Sequence, residues 1–123
     1  MRNTTHIYVM GTAIGDLAYK IGHATKPEKR QGQLNAGSPF GVRLLGAMAI
    51  PTAVANAVEK SLHKRYRAGH VGGEWFSLPK DRSEKWFVMD VLGCAELMAR
   101  CHQVSKRFHA SSYMQLTPAE RFT

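Results

Sequence analysis

His6-Ile7-Tyr8-Val9-Met10 and Ala18-Tyr19-Lys20-Ile21-Gly22 are the two stretches whose reading decides the fold. Both mix apolar, β-branched and aromatic residues, the composition of a pleated, half-buried surface. Between them Gly11-Thr12-Ala13-Ile14-Gly15-Asp16 supplies the bends of a turn. Two such runs around such a linker predict a β-hairpin. By the two-residue period of a strand, Tyr19 and Lys20 point to opposite faces.

Downstream of the hairpin, Pro27 suits a first helical turn, and Gly37-Ser38-Pro39 stops the helix near Asn35. Val42-Arg43-Leu44-Leu45-Gly46-Ala47-Met48-Ala49-Ile50 predicts a third, largely buried strand. Pro51 ends it and Thr52 is expected to cap the next helix. That helix, over 53–67, carries the clearest period in the chain: Val54, Val58, Leu62 and Tyr66 recur every four residues. Positions 69–73 read as a loop, and Glu74-Trp75-Phe76-Ser77-Leu78-Pro79 as a short strand or extended segment with the two aromatics as core anchors. Ser83 opens a long amphipathic helix ending near Lys106, with Val88, Val91, Leu92, Ala95 and Met98 inward. Residues 111–123 form a polar tail. There is no internal repeat.

Seventeen Lys and Arg against nine Asp and Glu give a net charge of +8 in 123 residues, and the pI is near 9.9. A domain this basic is a candidate for polyanions, although charge alone does not choose between DNA, RNA and an acidic membrane surface. No run approaches the roughly 18 apolar residues of a membrane span, and the N-terminus lacks the apolar stretch of a signal peptide. A cytoplasmic location is expected. Cys94 and Cys101 are seven residues apart, about 10 Å of rise on one helix. That distance excludes a disulfide, so they are expected to be small core residues in a reducing compartment.

Ile7-Tyr8-Val9, Tyr19-Lys20-Ile21-Gly22, Arg30, Glu59-Lys60-Ser61-Leu62-His63 and Glu74-Trp75-Phe76 follow one another in an order that resembles the GIY-YIG nuclease superfamily. Within it, they are similar to the short phage and fungal branch whose second motif reads Y-K-I-G. The resemblance covers roughly residues 6–78. It implies an α+β fold, a small three-stranded antiparallel sheet flanked by helices, here with a long C-terminal helix. It divides the chain into a nuclease core over 1–80, a helix packed on that core over 81–110, and a tail over 111–123.

The activity implied is DNA phosphodiester hydrolysis with Mg²⁺ or Mn²⁺. Such chemistry must activate a water, neutralise the phosphate and stabilise the leaving oxygen. By resemblance Tyr8 activates or orients the water, although a half-buried tyrosine is ordinary in any sheet. Lys20 stands where many members carry a second tyrosine, and an ammonium there binds phosphate or lowers the pKa of a nearby phenol. Tyr19 is expected to pack. Arg30 falls eight residues after Gly22, and its guanidinium would clamp phosphate oxygens.

Glu59 resembles the family's metal-binding carboxylate, with Glu74 as the alternative. Mg²⁺ is commonly held by one or two carboxylates plus water and phosphate. His63, one turn after Glu59, would line the site, orient water or contact phosphate. Glu74 is either a second acid of the site or a turn residue bonded to the Gly72-Gly73 backbone. Lys26, Lys29, Lys60, Lys64 and Arg67 are the expected nucleic-acid contacts. His23, His70, His102 and His109 show no ligand spacing.

The expected function is thus a metal-dependent endonuclease acting on DNA, with RNA left open. One rival is a catalytically weak or inactive binding module on the same fold. Another is a protein-binding regulator that uses the C-terminal helix. A monomer or a homodimer through that helix is expected, without membrane association.

Overall fold

The computed structural model describes residues 3–14 and 18–107 of the chain. Gly15 and Asp16 of the expected turn, His109, and the expected tail over 111–123 lie outside the described residues. The elements run β1 (Thr4–Thr12), β2 (Tyr19–Ala24), α1 (Pro27–Gly37), β3 (Val42–Pro51), α2 (Thr52–Arg65), a 3-10 turn (Arg67–Gly69), β4 (His70–Gly72), β5 (Trp75–Phe76) and α3 (Glu84–Arg107). The strands make one antiparallel sheet in the order β3-β1-β2-β5-β4.

The α+β class and the long C-terminal helix match expectation, but the sheet has five strands where three were expected. The three expected strands are β1, β2 and β3. Of the other two, β5 lies in the 74–79 stretch read as a short strand or extended segment and β4 in the stretch read as loop; at two and three residues neither is long enough to display a period. Their connection runs through Gly73, whose φ of +55° favours glycine. A glycine-rich sequence that reads as loop therefore folds into a tight hairpin on the edge of β2.

Alternation along β1 sends Ile7 and Val9 to one face of the sheet and Tyr8 and Met10 to the other. The first face carries the main core. Ile7, Val9, Tyr19, Ile21 and Phe76 pack there against Val54, Val58, Leu62 and Tyr66 of α2, and all are buried. Helix α3 adds Phe87, Val91, Ala95 and Ala99, with Val88, Leu92, Cys94 and Met98 partly buried beside them. Each fully buried large apolar side chain contributes about 1.5–3 kcal/mol relative to exposure. Gly46 lets α3 settle on β3, since a Cβ there would lie 2.9 Å from Leu92 Cδ1. The second face is smaller: Tyr8, Met10 and Val42 are buried there, against Leu34 of α1 and Trp75.

Two local expectations are corrected. Thr52 is the first residue of α2 and Pro51 is its cap. Strand β3 runs into the helix without a break, and the Thr52 N–H donates to the Asn3 carbonyl at 2.8 Å, which satisfies one of the free N–H groups of the first turn. Cys101 is exposed and only Cys94 is partly buried, although seven residues return the second cysteine to nearly the same helix face; both are free thiols. Ser83 does open α3, its Oγ accepting the Trp86 N–H at 3.1 Å. No helix among the described residues is long and apolar enough to cross a membrane.

Candidate functional site

Strand β5 pairs with β2 only at Tyr19 and Lys20. Beyond Lys20 the outer edge of β2 would be left with unpaired backbone groups, which must find partners. The Ile21 N–H donates to the Glu74 carbonyl at 3.2 Å. The Ile21 carbonyl accepts from His63 Nε2 at 2.8 Å. The place where the sheet gives out is therefore closed by a residue just before β5 and by a side chain of α2. This brings Glu59, His63 and Glu74 to the same stretch of β2.

On the second face Tyr8 lies directly across from Gly22 in the β1–β2 register. Its ring covers the glycine so closely that a Cβ at Gly22 would sit 2.6 Å from Tyr8 Oη, 2.8 Å from its Cζ and 3.1 Å from Glu74 Oε1. The last residue of Y-K-I-G thus makes room for the tyrosine of the first motif. Lys20, on the same face, is buried to 7% exposure, and its Nζ donates to Glu74 Oε1 at 2.8 Å. Tyr19, on the opposite face, is fully buried against Phe87, and its hydroxyl donates to Glu84 at 2.9 Å. The division between the two residues is the one that alternation predicts.

Electrostatics tie these groups into one cluster. Burial pushes the Tyr8 phenol above its ordinary pKa. The Arg30 guanidinium pulls it down, while the charges of Glu74 and Glu59 push it further up. The Glu59 carboxyl is likewise held above the ordinary range, first by burial and then by Glu74, against the opposing influence of His23, His63 and Lys20. Tyr8, Lys20, Arg30, Glu59, His63 and Glu74 are thus brought together.

Each residue has a definite posture. His63 Nε2 is committed to the Ile21 carbonyl, and its ring meets Phe76 edge-on at 5.1 Å. This residue fastens α2 to β2 and so fixes Glu59, one turn earlier. Glu74 bonds Lys20 through its side chain and Ile21 through its carbonyl, so its carboxylate faces the cluster. Lys26, Lys29 and Arg30 line a shallow depression of about 300 Å³ on α1. Lys60, Lys64 and Arg67 are exposed. On α2, Lys60 and Lys64 lie about 100° round the axis from Glu59 and His63. They flank the cluster without joining it.

His23 is a site neighbour that the sequence reading left unassigned. Its Nε2 is 3.0 Å from Asn56 Oδ1 and 3.8 Å from Glu59 Oε1. The signal that finds it is parity: residues 19, 21 and 23 of β2 share the face that α2 covers.

A divalent cation fits this cluster. The Glu59 carboxylate is 20% exposed, and its nearest basic nitrogens are at 3.8 Å on His23 and 4.0 Å on His63, too far to hydrogen-bond. It is also crowded by the charge of Glu74. Two neighbouring carboxylates, one of them half-desolvated and without a close counter-ion, suit an ion of charge two. Among the described residues no group of three or more His, Cys, Asp or Glu is gathered to hold a metal. The shell would have to be completed by water and phosphate, as is usual for Mg²⁺.

The profile of the T5orf172 domain matches residues 5–91, more than half of the chain. No curated protein and no solved structure matches it.

Proposed function

The chain belongs to the T5orf172 domain family, and from that premise we propose that it is a metal-dependent endonuclease of GIY-YIG type that hydrolyses DNA phosphodiester bonds. The family is associated with homing and GIY-YIG-like nucleases. The observation that carries the reading is the meeting of a phenol, a guanidinium, an ammonium and two carboxylates at the open edge of β2, where Arg30, Glu74 and Glu59 all act on the Tyr8 hydroxyl.

In this reading the exposed Arg30 grips the scissile phosphate, with Lys20 as a second cation beside it. Tyr8 works as a neutral phenol. Burial and two carboxylates disfavour its anion, so it orients the attacking water by hydrogen bonding instead of removing a proton as phenolate. Glu59, with Glu74 alongside, holds the Mg²⁺ or Mn²⁺ ion, which supplies positive charge to the phosphate oxygens when bound. His63 positions Glu59. Lys26, Lys29, Lys60, Lys64 and Arg67 contact flanking phosphates.

One observation favours the rival, a binding module without useful catalysis: Lys20 is already neutralised by Glu74 at 2.8 Å. Nicking of supercoiled plasmid with Mg²⁺, with Mn²⁺ and with chelator decides between them. Metal-dependent conversion to open circles supports the nuclease. Retained DNA binding with no nicking under any divalent ion overturns it in favour of the module.

A further inference from the structure

We infer that the trough beside this cluster receives an unpaired nucleobase, so that the preferred substrate is a strand with at least one base out of the stack. The inference rests on the nucleic-acid reading of the site and names its substrate class.

A groove of about 370 Å³ lies between the end of β1, the loop before β3, and β4; Thr12, Phe40, Val71 and Trp75 are among its walls. A second depression of about 330 Å³ continues from it along the C-terminal end of α1, sharing Ser38 and Trp75. Volumes of this size are those of small-molecule pockets. Phe40 is 50% exposed and Val71 is 60% exposed, so two large apolar side chains are held out at the rim. Neither belongs to a core cluster.

The trough is joined to the charged cluster through Trp75. That ring lines both depressions, and Lys20 Nζ stands 5.7 Å from its centroid. An occupant that fits presents a flat apolar body to Trp75 and Phe40 and an anion toward Lys26, Lys29 and Arg30, whose depression shares Gln33 with the second trough. A nucleotide has that shape: the base stacks on aromatic rings and its phosphate meets the cations. A base inside a duplex offers only its edge, so it reaches the trough after leaving the stack.

The test is binding without cleavage, in chelator, read by fluorescence anisotropy at one salt concentration. Three DNAs are compared: a fully paired duplex, the same duplex with one bulged 2-aminopurine, and the single strand. The wild type binds the bulged duplex and the strand more tightly than the paired duplex and quenches the 2-aminopurine. Phe40→Ala, at an exposed position, keeps the melting temperature and the affinity for the paired duplex. It lowers affinity for the other two about 5- to 100-fold, the worth of one lost stacking partner. Trp75→Leu, which keeps apolar bulk and loses the ring, abolishes the quenching. Variants that bind bulged DNA like the wild type, or that lose bulged and paired DNA in equal proportion, overturn the inference while leaving the nuclease reading intact. A wild type that binds none of the three DNAs overturns both.

Discussion

Gly22→Ala is the perturbation on which the geometry speaks most directly. The backbone at residue 22 has no positive φ, so alanine meets no conformational penalty and gains about 0.4–1 kcal/mol from a less flexible unfolded chain. Against this stands the contact. The new methyl would lie 2.6 Å from Tyr8 Oη, and ordinary contact begins at 3.4 Å, so the hydroxyl must retreat by about 0.8 Å. Tyr8 is 1% exposed and cannot swing into water. Forcing a methyl into such packing costs about 1–3 kcal/mol. The net loss is then about 0–2.6 kcal/mol, a fall in melting temperature of up to about 10 °C for a chain of this length. Activity suffers more, because a displacement approaching 1 Å in a reacting site costs about a hundredfold. Thermal melting and plasmid nicking on the same preparation measure both. Adding Tyr8→Phe to Gly22→Ala removes the 2.6 Å contact but keeps the 2.8 Å one at Cζ, so it recovers part of the stability and none of the cleavage. A Gly22→Ala protein that melts and cuts like the wild type would refute the reasoning.

Arg30→Ala leaves stability within about 0.5 kcal/mol, as expected for an exposed residue, and lowers cleavage about a hundredfold or more; normal cutting removes Arg30 from the site. Glu59→Gln abolishes metal-dependent nicking and retains duplex binding. Its effect on stability has a defined sign. The folded pKa of Glu59 is raised, so its contribution to folding is greatest below the unfolded value and is lost as pH rises through the folded one. At neutral pH the ionised group is a burden, and the glutamine variant melts higher by an amount on the order of 1 kcal/mol or less. That advantage fades as pH falls into the ordinary carboxylate range, and an advantage that grows on acidification contradicts the assignment. Duplex affinity depends on salt with a log–log slope near −4 to −5 if about five phosphates are contacted; a flat titration excludes the polyanion reading.

The parts legible in the sequence are those set by local period. Tyr8 and Val9 alternate across β1, Lys20 separates from Tyr19, and the stripe of Val54, Val58, Leu62 and Tyr66 is buried in full. Pro27 and Ser83 mark helix starts through chemistry confined to one turn. The parts missed depend on partners far along the chain. The Lys20–Glu74 bond joins residues 54 positions apart, and no single sequence announces it. Strand β4, three residues long, is too short to carry a pattern. Phe87 and Ala99 face inward beyond the expected stripe because α3 touches both α2 and the sheet, which widens its buried arc. Thr52 falls inside α2 as its first residue, one place past the cap, because β3 runs straight through Pro51 into the helix.

The order of the charges along the chain has a consequence for how the molecule matures. Lys20 and Arg30 belong to the first hairpin and helix, whereas Glu59 and Glu74 arrive on α2 and at the start of β5. A hairpin closes locally within microseconds, but docking α2 and β5 on β2 closes long loops and comes later. Until that docking is made, Lys20 and Arg30 stand apart from Glu59 and Glu74. The contacts of His63 with Ile21 and of Glu74 with Lys20 are the ones that bring the acids to the cations. Under the proposed function, loosening that docking, even far from Tyr8, costs cleavage more than it costs DNA binding.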